Sequence, residues 1–306
     1  MSDNARWVHP FGSRAEGAFQ VAITDALDGW RHTSLRVATL ASGDEVSLDL
    51  GDHEVMVVPL QGGFDVTAVD HDGKHHEARL AGRTSVFAGP TDVAYVPRGA
   101  RLTVRSAAAE GPARVALCGA TARKQSGPLP FRHVATSDVP VELRGAGTAS
   151  REVRNFGTPQ VLDADSIIAC EVITPAGNWS SYPPHKHDEE RDGVETELEE
   201  IYYFEVRAES RADGADPVAY QRVYGTRERP LDVFAEVRSG DVVLVPHGWH
   251  GPAMAPPGYD LYYLNVMAGP GATRAWLICD DPAHAWVRDS WAQQDVDPRL
   301  PMGGPR

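Results

Sequence analysis

The sequence contains few cysteines, and they do not form a recognisable pattern. Its three cysteines, Cys118, Cys170 and Cys279, are widely separated, and no two are spaced as Cys-x-x-Cys. An odd number of dispersed cysteines is unusual in a disulfide-stabilised secreted domain. We therefore expect free thiols and a cytoplasmic location.

The sequence also lacks a long apolar run and an excess of positive charge. Its apolar stretches are strand-sized, shorter than the roughly 18–20 residues of a membrane-spanning helix, and the first residues have no signal-peptide core. The 43 acidic and 29 basic side chains give a net charge of −14. Because no Lys/Arg-rich segment is present, we expect a protein that binds neither nucleic acid nor an anionic membrane.

Turn-forming residues are abundant, since 29 glycines and 23 prolines interrupt the chain at short intervals. The segments between them are rich in Val, Ile, Tyr and Phe, which are typical of β-strands. The predicted strands lie within residues 34–40, 54–60, 64–69, 92–97, 101–106, 114–119, 166–175, 200–206, 220–225, 241–246 and 259–267. With a short helix predicted only near the end, at residues 285–294, the sequence indicates an all-β sandwich or barrel.

Two parts of the chain repeat one order of features. Glu54 precedes an apolar strand in the first half and Glu200 precedes one in the second, and each half later has a strand that ends in a Pro-x-Gly turn. Such a repeat indicates two tandem β-barrels. We place the boundary in the glycine-containing segment 145–152, which gives a first domain of residues 1–148 and a second of residues 149–306.

Residues suited to metal binding are concentrated in the second half. His185 and His187 flank Lys186, and side chains alternate along a strand, so both imidazoles point to one face and Lys186 to the other. Glu200 opens an apolar strand, where an inward carboxylate requires a positive partner. His250 follows the second Pro-x-Gly turn. Imidazoles and a carboxylate from separate strands are typical of a divalent transition-metal site with open coordination positions.

At these residues the sequence resembles the cupin family. The cupin motifs place a His-x-His pair before a glutamate, and a Pro-x-Gly turn before a further histidine. The resemblance implies tandem cupin barrels and four metal ligands, which are His185, His187, Glu200 and His250.

The spacing between the ligands departs from the family pattern. The segment between His187 and Glu200 is longer than is usual in cupins and contains Glu197 and Glu199 as alternative ligands. We prefer Glu200 because it stands directly before the strand, as the cupin glutamate does.

The first half lacks these ligands. The positions counted back from Glu54 hold Ser47 and Asp49, and Arg101 stands where the last histidine would be. We therefore expect a degenerate, metal-free barrel in the first half, with His75–His76 in a solvated loop.

A closer resemblance narrows the activity. The 5-deoxy-glucuronate isomerases of myo-inositol catabolism, a cupin family related to 5-keto-4-deoxyuronate isomerases, are similar to this sequence at residues 177–188, 195–204, 221–225, 241–250 and 255–270. The resemblance implies an aldose–ketose isomerisation of 5-deoxy-D-glucuronate to 2-deoxy-5-keto-D-gluconate. It also implies one divalent transition metal, with zinc or manganese ahead of iron or nickel, a small-molecule sugar acid as partner, and a homo-oligomer.

This reaction requires a base that moves a proton between adjacent carbons. The catalytic candidates are Glu199, Tyr182 and Tyr263, and Glu200 itself is an alternative if its bond to the metal is labile.

The substrate carboxylate requires a cation or a cluster of donors. Arg222 is the first candidate because a guanidinium holds a carboxylate in a bidentate manner. Gln221 precedes Arg222 on the same predicted strand and points to the opposite face. It is the alternative candidate if that face, rather than the face of Arg222, points into the barrel. Asn265 shares a strand face with Tyr263 and is a candidate for contacts with substrate hydroxyls.

Two other functions use a similar site. An Fe(II)-dependent cupin dioxygenase would consume oxygen, and a non-catalytic metal-stabilised sugar-binding module would bind metal without turnover. Residues 188–200 hold eight acidic residues and one arginine, a net charge of −7. We expect most of residues 188–197 to form a solvated acidic loop at the rim of the site.

Overall fold

The computed structural model describes residues 2–123, 127, 129–209 and 214–303, and nearly all of its regular structure is β. The strands of the first part of the chain are β1 Val8–His9, β2 Phe19–Ile23, β3 Thr33–Leu40, β4 Glu45–Asp49, β5 His53–Val69, β6 His75–Arg83, β7 Val93–Val96, β8 Arg101–Ser106, β9 Ala113–Thr121 and β10 Arg132–Val134. The later strands are β11 Val141–Arg144, β12 Arg151–Gly157, β13 Ile168–Thr174, β14 Trp179–Ser180, β15 His185–Lys186, β16 Glu199–Ala208, β17 Ala219–Tyr224, β18 Asp232–Val237, β19 Val242–Val245, β20 Trp249–Met254, β21 Tyr259–Ala268 and β22 Cys279–Asp280.

The helices are short. The α-helices are α1 Asn4–Trp7 and α2 Val287–Ser290, and the 3₁₀ turns are Val86–Ala88, Thr136–Asp138, Gly147–Ala149 and Trp291–Gln293. The predicted helix at residues 285–294 therefore corresponds to α2 and the 3₁₀ turn that follows it. Within the described residues no helix has the length and apolar character needed to cross a bilayer. The all-β prediction is confirmed.

The first half forms a nine-stranded sheet organised around one long strand, β5. The first part of β5 pairs with β7 and β9, and its second part pairs with β6 and β8. Alternate residues within each part of β5 point into the barrel, and the register shifts between the two parts change the phase. Val55 and Val57 of the first part and Phe64 and Val66 of the second are therefore buried in one apolar core.

The second half consists of two sheets. One sheet has seven strands in the order β1-β19-β16-β21-β13-β12-β11, and the other has six, in the order β18-β17-β20-β15-β22 with β14 beside β20. The predicted metal ligands come from both sheets, because His185 and His250 lie on β15 and β20 whereas Glu200 lies on β16. The site therefore lies between the two sheets.

The two halves repeat one strand order, as the sequence predicts. The order β7-β5-β9-β3-β2 in the first half matches β19-β16-β21-β13-β12 in the second. Val55 pairs with Val96 in the first half, as Glu200 pairs with Val245 in the second. The alignment of Glu54 with Glu200 is therefore wrong by one residue: Val55 occupies the position of Glu200, and Glu54 corresponds to Glu199.

Glu54 and Glu199 join the two halves in a reciprocal way. The Glu54 carboxylate accepts hydrogen bonds from the backbone N–H groups of residues 165–167, at 2.5–2.8 Å. The Glu199 carboxylate accepts hydrogen bonds from the N–H groups of residues 31–33, at 2.6–3.1 Å. Each of the two residues thus stands at the start of a central strand of its own half, β5 or β16. Its carboxylate binds backbone N–H groups at the start of a strand of the other half, β13 or β3.

The halves also share one apolar core, which includes Met56 of the first half and Phe204 of the second. The division between them differs from the predicted one at residue 148. Strand β11 pairs with β12 and so belongs to the second half, and β1 at the amino terminus pairs with β19 in the same sheet. The physical reason is that β1 and β11 complete the two edges of the seven-stranded sheet.

Candidate metal centre

Three imidazoles meet between the two sheets of the second half. Strands β15 and β20 are antiparallel, with His185 directly opposite His250. The ring centroids of His250 lie 4.4 Å from that of His185 and 4.6 Å from that of His187. One ring nitrogen from each histidine lies within 4.8 Å of the other two.

Backbone carbonyls orient two of these rings. The Nδ1–H of His187 donates to the Leu198 carbonyl at 3.1 Å, and the Nδ1–H of His250 donates to the Gly248 carbonyl at 3.2 Å. In a neutral imidazole this leaves a lone pair on Nε2. The Oε2 of Glu200 lies 3.2 Å from the Nε2 of His187 and 3.1 Å from that of His250. Lone pairs and a carboxylate that converge in this way require a cation between them.

The ionisation of the cluster agrees with this requirement. Burial favours the protonated form of Glu200, but its contacts with His187 and His250 outweigh burial and lower the pKa of its carboxyl. Burial opposes protonation of His187, yet the hydrogen bond to Glu200 raises its pKa. Burial lowers the pKa of His185 well below its usual value, and the charges of the neighbouring histidines add to this. Protonation of these side chains therefore competes with metal binding, so metal affinity should fall at acid pH.

These donors fit a divalent transition metal. The Nε2 of His250 is buried and forms no hydrogen bond to any residue that the structure describes. Three nitrogens and one oxygen at this spacing suit an ion bound at about 2.0–2.2 Å. The alternative ligands do not compete for it, since Glu197 is exposed and Glu199 is occupied by residues 31–33.

A cavity of about 180 Å³ opens beside the cluster. Polar and aromatic side chains form its wall, which consists of Arg144, Arg151, Val153, Val172, Ser181, His185, Glu200, Tyr202, Tyr263, Asn265, Trp276, Ile278 and Arg288. Two of the predicted site residues other than the metal ligands, Tyr263 and Asn265, therefore face this cavity. The Nδ2 of Asn265 is buried without a hydrogen-bond partner in the described part of the chain.

Tyr263 is placed to donate a proton rather than to accept one. Its hydroxyl lies 3.2 Å from the Ser181 Oγ, which also lies 3.3 Å from the Tyr202 hydroxyl. Burial raises the pKa of Tyr263 and raises that of Tyr202 well above its usual value. Both phenols are therefore neutral near pH 7, which corrects the expectation that Tyr263 acts as the base.

The other two predicted catalytic residues do not face the cavity. Glu199 points to the opposite side of β16 from Glu200, because neighbouring side chains alternate, and it holds residues 31–33 instead. The ring of Tyr182 packs against Trp179 and His284, with centroids 5.5 Å and 6.1 Å away, beside a separate surface groove. These two assignments are wrong.

The assignment of Arg222 is also wrong, because the inward face of β17 is the one that carries Gln221. Arg222 is half-buried on the outer face and donates to the Asp232 carboxylate at 2.6 Å and the Val233 carbonyl at 2.9 Å. Gln221 is fully buried, and neither of its amide atoms has a partner among the described residues. It does not line the cavity, however, so it is not placed to contact a ligand there.

Sequence reasoning missed three arginines of the cavity wall. Arg144 directly precedes the predicted domain boundary at residues 145–152, Arg151 lies within that segment, and Arg288 lies in the short helix α2. No local signal marked Arg151, because its strand β12 also contains Glu152, Arg154 and Asn155 and so is not apolar.

The acidic segment is only partly solvated. The Nζ of Lys186 donates to Asp188 at 2.6 Å and to Glu195 at 2.8 Å, and Glu195 is fully buried. Residues 189–194 are exposed. The expectation of a solvated loop is therefore wrong for Asp188 and Glu195, because Lys186 on the outer face of β15 neutralises both.

Several known proteins are similar to this chain. The sequence profile of the KduI/IolB family matches residues 7–287. The 5-deoxy-glucuronate isomerase of Geobacillus kaustophilus (strain HTA426) is 38% identical over 287 residues, which cover 94% of this chain and 96% of the relative.

Solved structures are similar as well. An IolB-like protein from Salmonella typhimurium LT2 is 34% identical with a TM-score of 0.79, and the match covers 92% of this chain and 98% of that one. The oxalate decarboxylase of Lactobacillus farciminis is 13% identical with a TM-score of 0.61, over 90% of this chain and 88% of that one. This second likeness concerns the fold alone and confirms two cupin barrels.

Proposed function

The chain belongs to the KduI/IolB family, and from that membership and its cavity we infer that it is a 5-deoxy-glucuronate isomerase. It is an enzyme that catalyses an aldose–ketose isomerisation of a small sugar acid. The main structural support for this reaction is that three imidazoles and the Glu200 carboxylate meet at one point beside a polar cavity.

The residues that would hold the metal are His185, His187, Glu200 and His250. A divalent metal bound there would act as a Lewis acid on the oxygens of the reacting carbons. Nitrogen and oxygen donors suit several metals, and we propose zinc or manganese ahead of iron or nickel.

The protein supplies the proton transfers. Glu200 is the only carboxylate among the described residues of the cavity wall, and we assign it the transfer of the proton from carbon 2 of the aldose to carbon 1, which requires that its bond to the metal be labile. Tyr263 stays protonated because of its burial, so its hydroxyl gives a proton to the oxygen of carbon 1 and regains one from the hydroxyl of carbon 2. Ser181 holds that hydroxyl in place. General acid–base contributions of this kind are worth about 10²–10⁴-fold in rate.

The test is a substrate assay combined with metal analysis. The purified protein should contain a divalent metal by elemental analysis and should convert 5-deoxy-glucuronate to its ketose isomer, followed by NMR. His187→Ala should lose both the metal and the turnover while the protein remains folded, because Leu198 holds that imidazole towards the other ligands.

His133→Ala is the control, since His133 pairs with Asp92 in the first half. It should keep metal and turnover. Absence of isomerisation by the fully metal-loaded protein, or oxygen uptake in its place, would contradict the inference. Retention of metal by His187→Ala would contradict the ligand assignment alone.

We also propose a cytoplasmic homo-oligomer. Cys118 and Cys170 are buried free thiols, which suits a reducing compartment. Strand β11 lies at the edge of the seven-stranded sheet and exposes Val141 and Leu143. An exposed edge strand with apolar side chains favours pairing with a second copy, and light scattering of Leu143→Glu would test it.

A further inference from the structure

The wall of the cavity carries an excess of positive charge. Besides the metal-binding cluster, it contains the guanidinium groups of Arg144, Arg151 and Arg288. Glu200 is the only carboxylate that faces the cavity from the described residues, and it is engaged by two histidines. The wall therefore has three cationic side chains and one carboxylate, and Arg151 is the buried one of the three cations.

Two of the three arginines are neutralised by carboxylates behind them. Arg288 forms two hydrogen bonds with Asp280. Arg144 forms two hydrogen bonds with Glu142, at 3.0 Å and 2.7 Å. These pairs explain why both side chains are stable in the wall without a ligand.

Arg151 differs from the other two because it has no carboxylate partner in the described ranges. Its guanidinium donates from Nη1 to the Ala149 carbonyl at 3.1 Å, and its Cζ lies 5.6 Å from the centre of the Trp291 ring. Only 5% of the residue is exposed. Burial lowers the pKa of Arg151 to about 10. A buried cation without a counter-ion destabilises a fold, so a ligand anion is the natural partner.

Neutral donors on the same wall also lack partners. The Asn265 Nδ2 and the Trp276 Nε1 are both buried, and neither forms a hydrogen bond within the described residues. Buried donors are normally satisfied. Donors that remain free beside a cavity indicate that a ligand supplies the acceptors.

We propose that Arg151 binds the carboxylate of the substrate, while Asn265 and Trp276 donate to its oxygens. This assignment rests on the proposed function. It makes Arg151 the residue that selects sugar acids over neutral aldoses. It also orients the substrate, because the carboxylate at Arg151 leaves the aldehyde end for the cluster around Glu200.

The test compares 5-deoxy-glucuronate with its neutral amide as substrates. A charge-assisted bidentate contact is worth about 10- to 100-fold in binding. Arg151→Met should therefore raise the KM for the acid by about that factor with a smaller change in kcat, and should leave kcat/KM for the amide near the wild-type value. Arg151→Lys should recover part of the loss. Arg222→Met is the matched control, since Arg222 binds Asp232 outside the cavity, and it should not change either KM.

Binding of gluconate by calorimetry separates this proposal from the proposed function. Gluconate has the carboxylate but no carbonyl to isomerise, so it should bind wild type about 10- to 100-fold more tightly than Arg151→Met. If wild type does not isomerise 5-deoxy-glucuronate but this difference holds, the proposed function fails and the role of Arg151 stands. Equal KM values and equal gluconate affinities would overturn the role of Arg151.

Stability provides a further readout. Arg151→Met should melt no lower than wild type, because it removes a buried charge that has no partner. If Arg151→Met fails to fold, two other measurements test whether Arg151 binds the carboxylate. These are the KM of Arg151→Lys for the acid and the ratio of kcat/KM for acid and amide in the wild type. A wild-type enzyme that uses the amide as well as the acid would refute the proposal.

Discussion

Glu199 and Glu200 are adjacent in the chain and have different tasks. Both carboxylates are buried at the start of β16, but alternation along the strand sends them to opposite faces. Glu200 meets two imidazoles of the second half. Glu199 accepts hydrogen bonds from backbone groups of the first half. Glu200 therefore belongs to the proposed metal site, whereas Glu199 joins the two halves.

Glutamine variants of these two residues should have opposite effects. Glu200→Gln should lower metal affinity by at least 10-fold and turnover by 10²-fold or more, as order-of-magnitude estimates, because the amide carries no charge. Glu199→Gln should keep metal and turnover but lower the free energy of unfolding by about 1–3 kcal/mol, since charged hydrogen bonds are lost. Elemental analysis, kcat and chemical denaturation check both variants. Loss of metal in Glu199→Gln with retention in Glu200→Gln would reverse the assignment.

The same alternation shows where sequence reasoning succeeds and fails. On β16 the sequence favours Glu200 over Glu199 as a metal ligand, and Glu200 is the one of the two that lies beside the imidazoles. On β17 the sequence offered Gln221 and Arg222 on opposite faces, and both are polar. Charge favoured Arg222, but the apolar neighbours Ala219 and Val223 share the inward face with Gln221. The burial of Arg151 was not predictable from the sequence. A buried arginine normally has a carboxylate partner, and none pairs with Arg151 among the described residues.

At the scale of elements, the segment between β15 and β16 controls the distance between two ligands. Lys186 holds Asp188 and Glu195 together at its outer side. Asp188 also accepts a hydrogen bond at 2.8 Å from the N–H of Gly248, in the turn just before His250. The unusually long segment between His187 and Glu200 is therefore fixed by contacts with β15 and with the turn before β20. These contacts keep His187 and Glu200 close together despite the length of the segment.

Lys186→Met should loosen this segment. The substitution removes one of the two cations that contact each carboxylate, since Arg229 still pairs with Asp188 and Arg191 with Glu195. The free energy of unfolding should therefore fall by about 1–3 kcal/mol, the cost of losing charged hydrogen bonds. Because the metal ligands lie at both ends of the segment, metal affinity should fall by about 10-fold. A chelator competition titration measures the affinity, and hydrogen exchange of residues 188–198 measures the loosening.

Lys74→Met is the control for this experiment, because Lys74 is an exposed lysine of the first half. It should leave both measurements unchanged. An unchanged chelator titration for Lys186→Met would show that the segment does not position the ligands.

At the scale of the whole molecule, the first half repeats the strand order of the second but has no counterpart of the Glu200 carboxylate at the equivalent position. Val55 stands where the second half has Glu200. The tandem repeat was predictable because its strand order recurs in the sequence. Its exact alignment and its boundary were not, because β1 joins the far half of the molecule and the two halves share one core. Such contacts between distant segments leave no local pattern.

A buried ion cluster provides a further link between the halves. Glu171 on β13 accepts hydrogen bonds from Arg83 on β6, at 2.6 Å and 2.7 Å, and from Arg154 on β12 at 3.0 Å. All three side chains are buried. Burial alone would raise the pKa of Glu171, but the charges of Arg83 and Arg154 outweigh it and lower that pKa.

This shift makes the stability of the protein depend on pH in a defined direction. Because the folded-state pKa of Glu171 is lowered, its contribution to stability is complete above the unfolded value near 4.5 and is lost as the pH falls through the folded value. Glu171→Gln should lower the free energy of unfolding by about 3–5 kcal/mol at pH 7, since the buried Arg83 loses its carboxylate partner whereas Arg154 keeps Glu152. The difference from wild type should shrink below about pH 4.5, as measured by denaturant titrations at several pH values. Asp49→Asn removes an exposed pair with Arg101 and should have little effect at any pH. A Glu171→Gln deficit that stayed constant down to the acid limit would show that Glu171 is not the group that couples the two halves to pH.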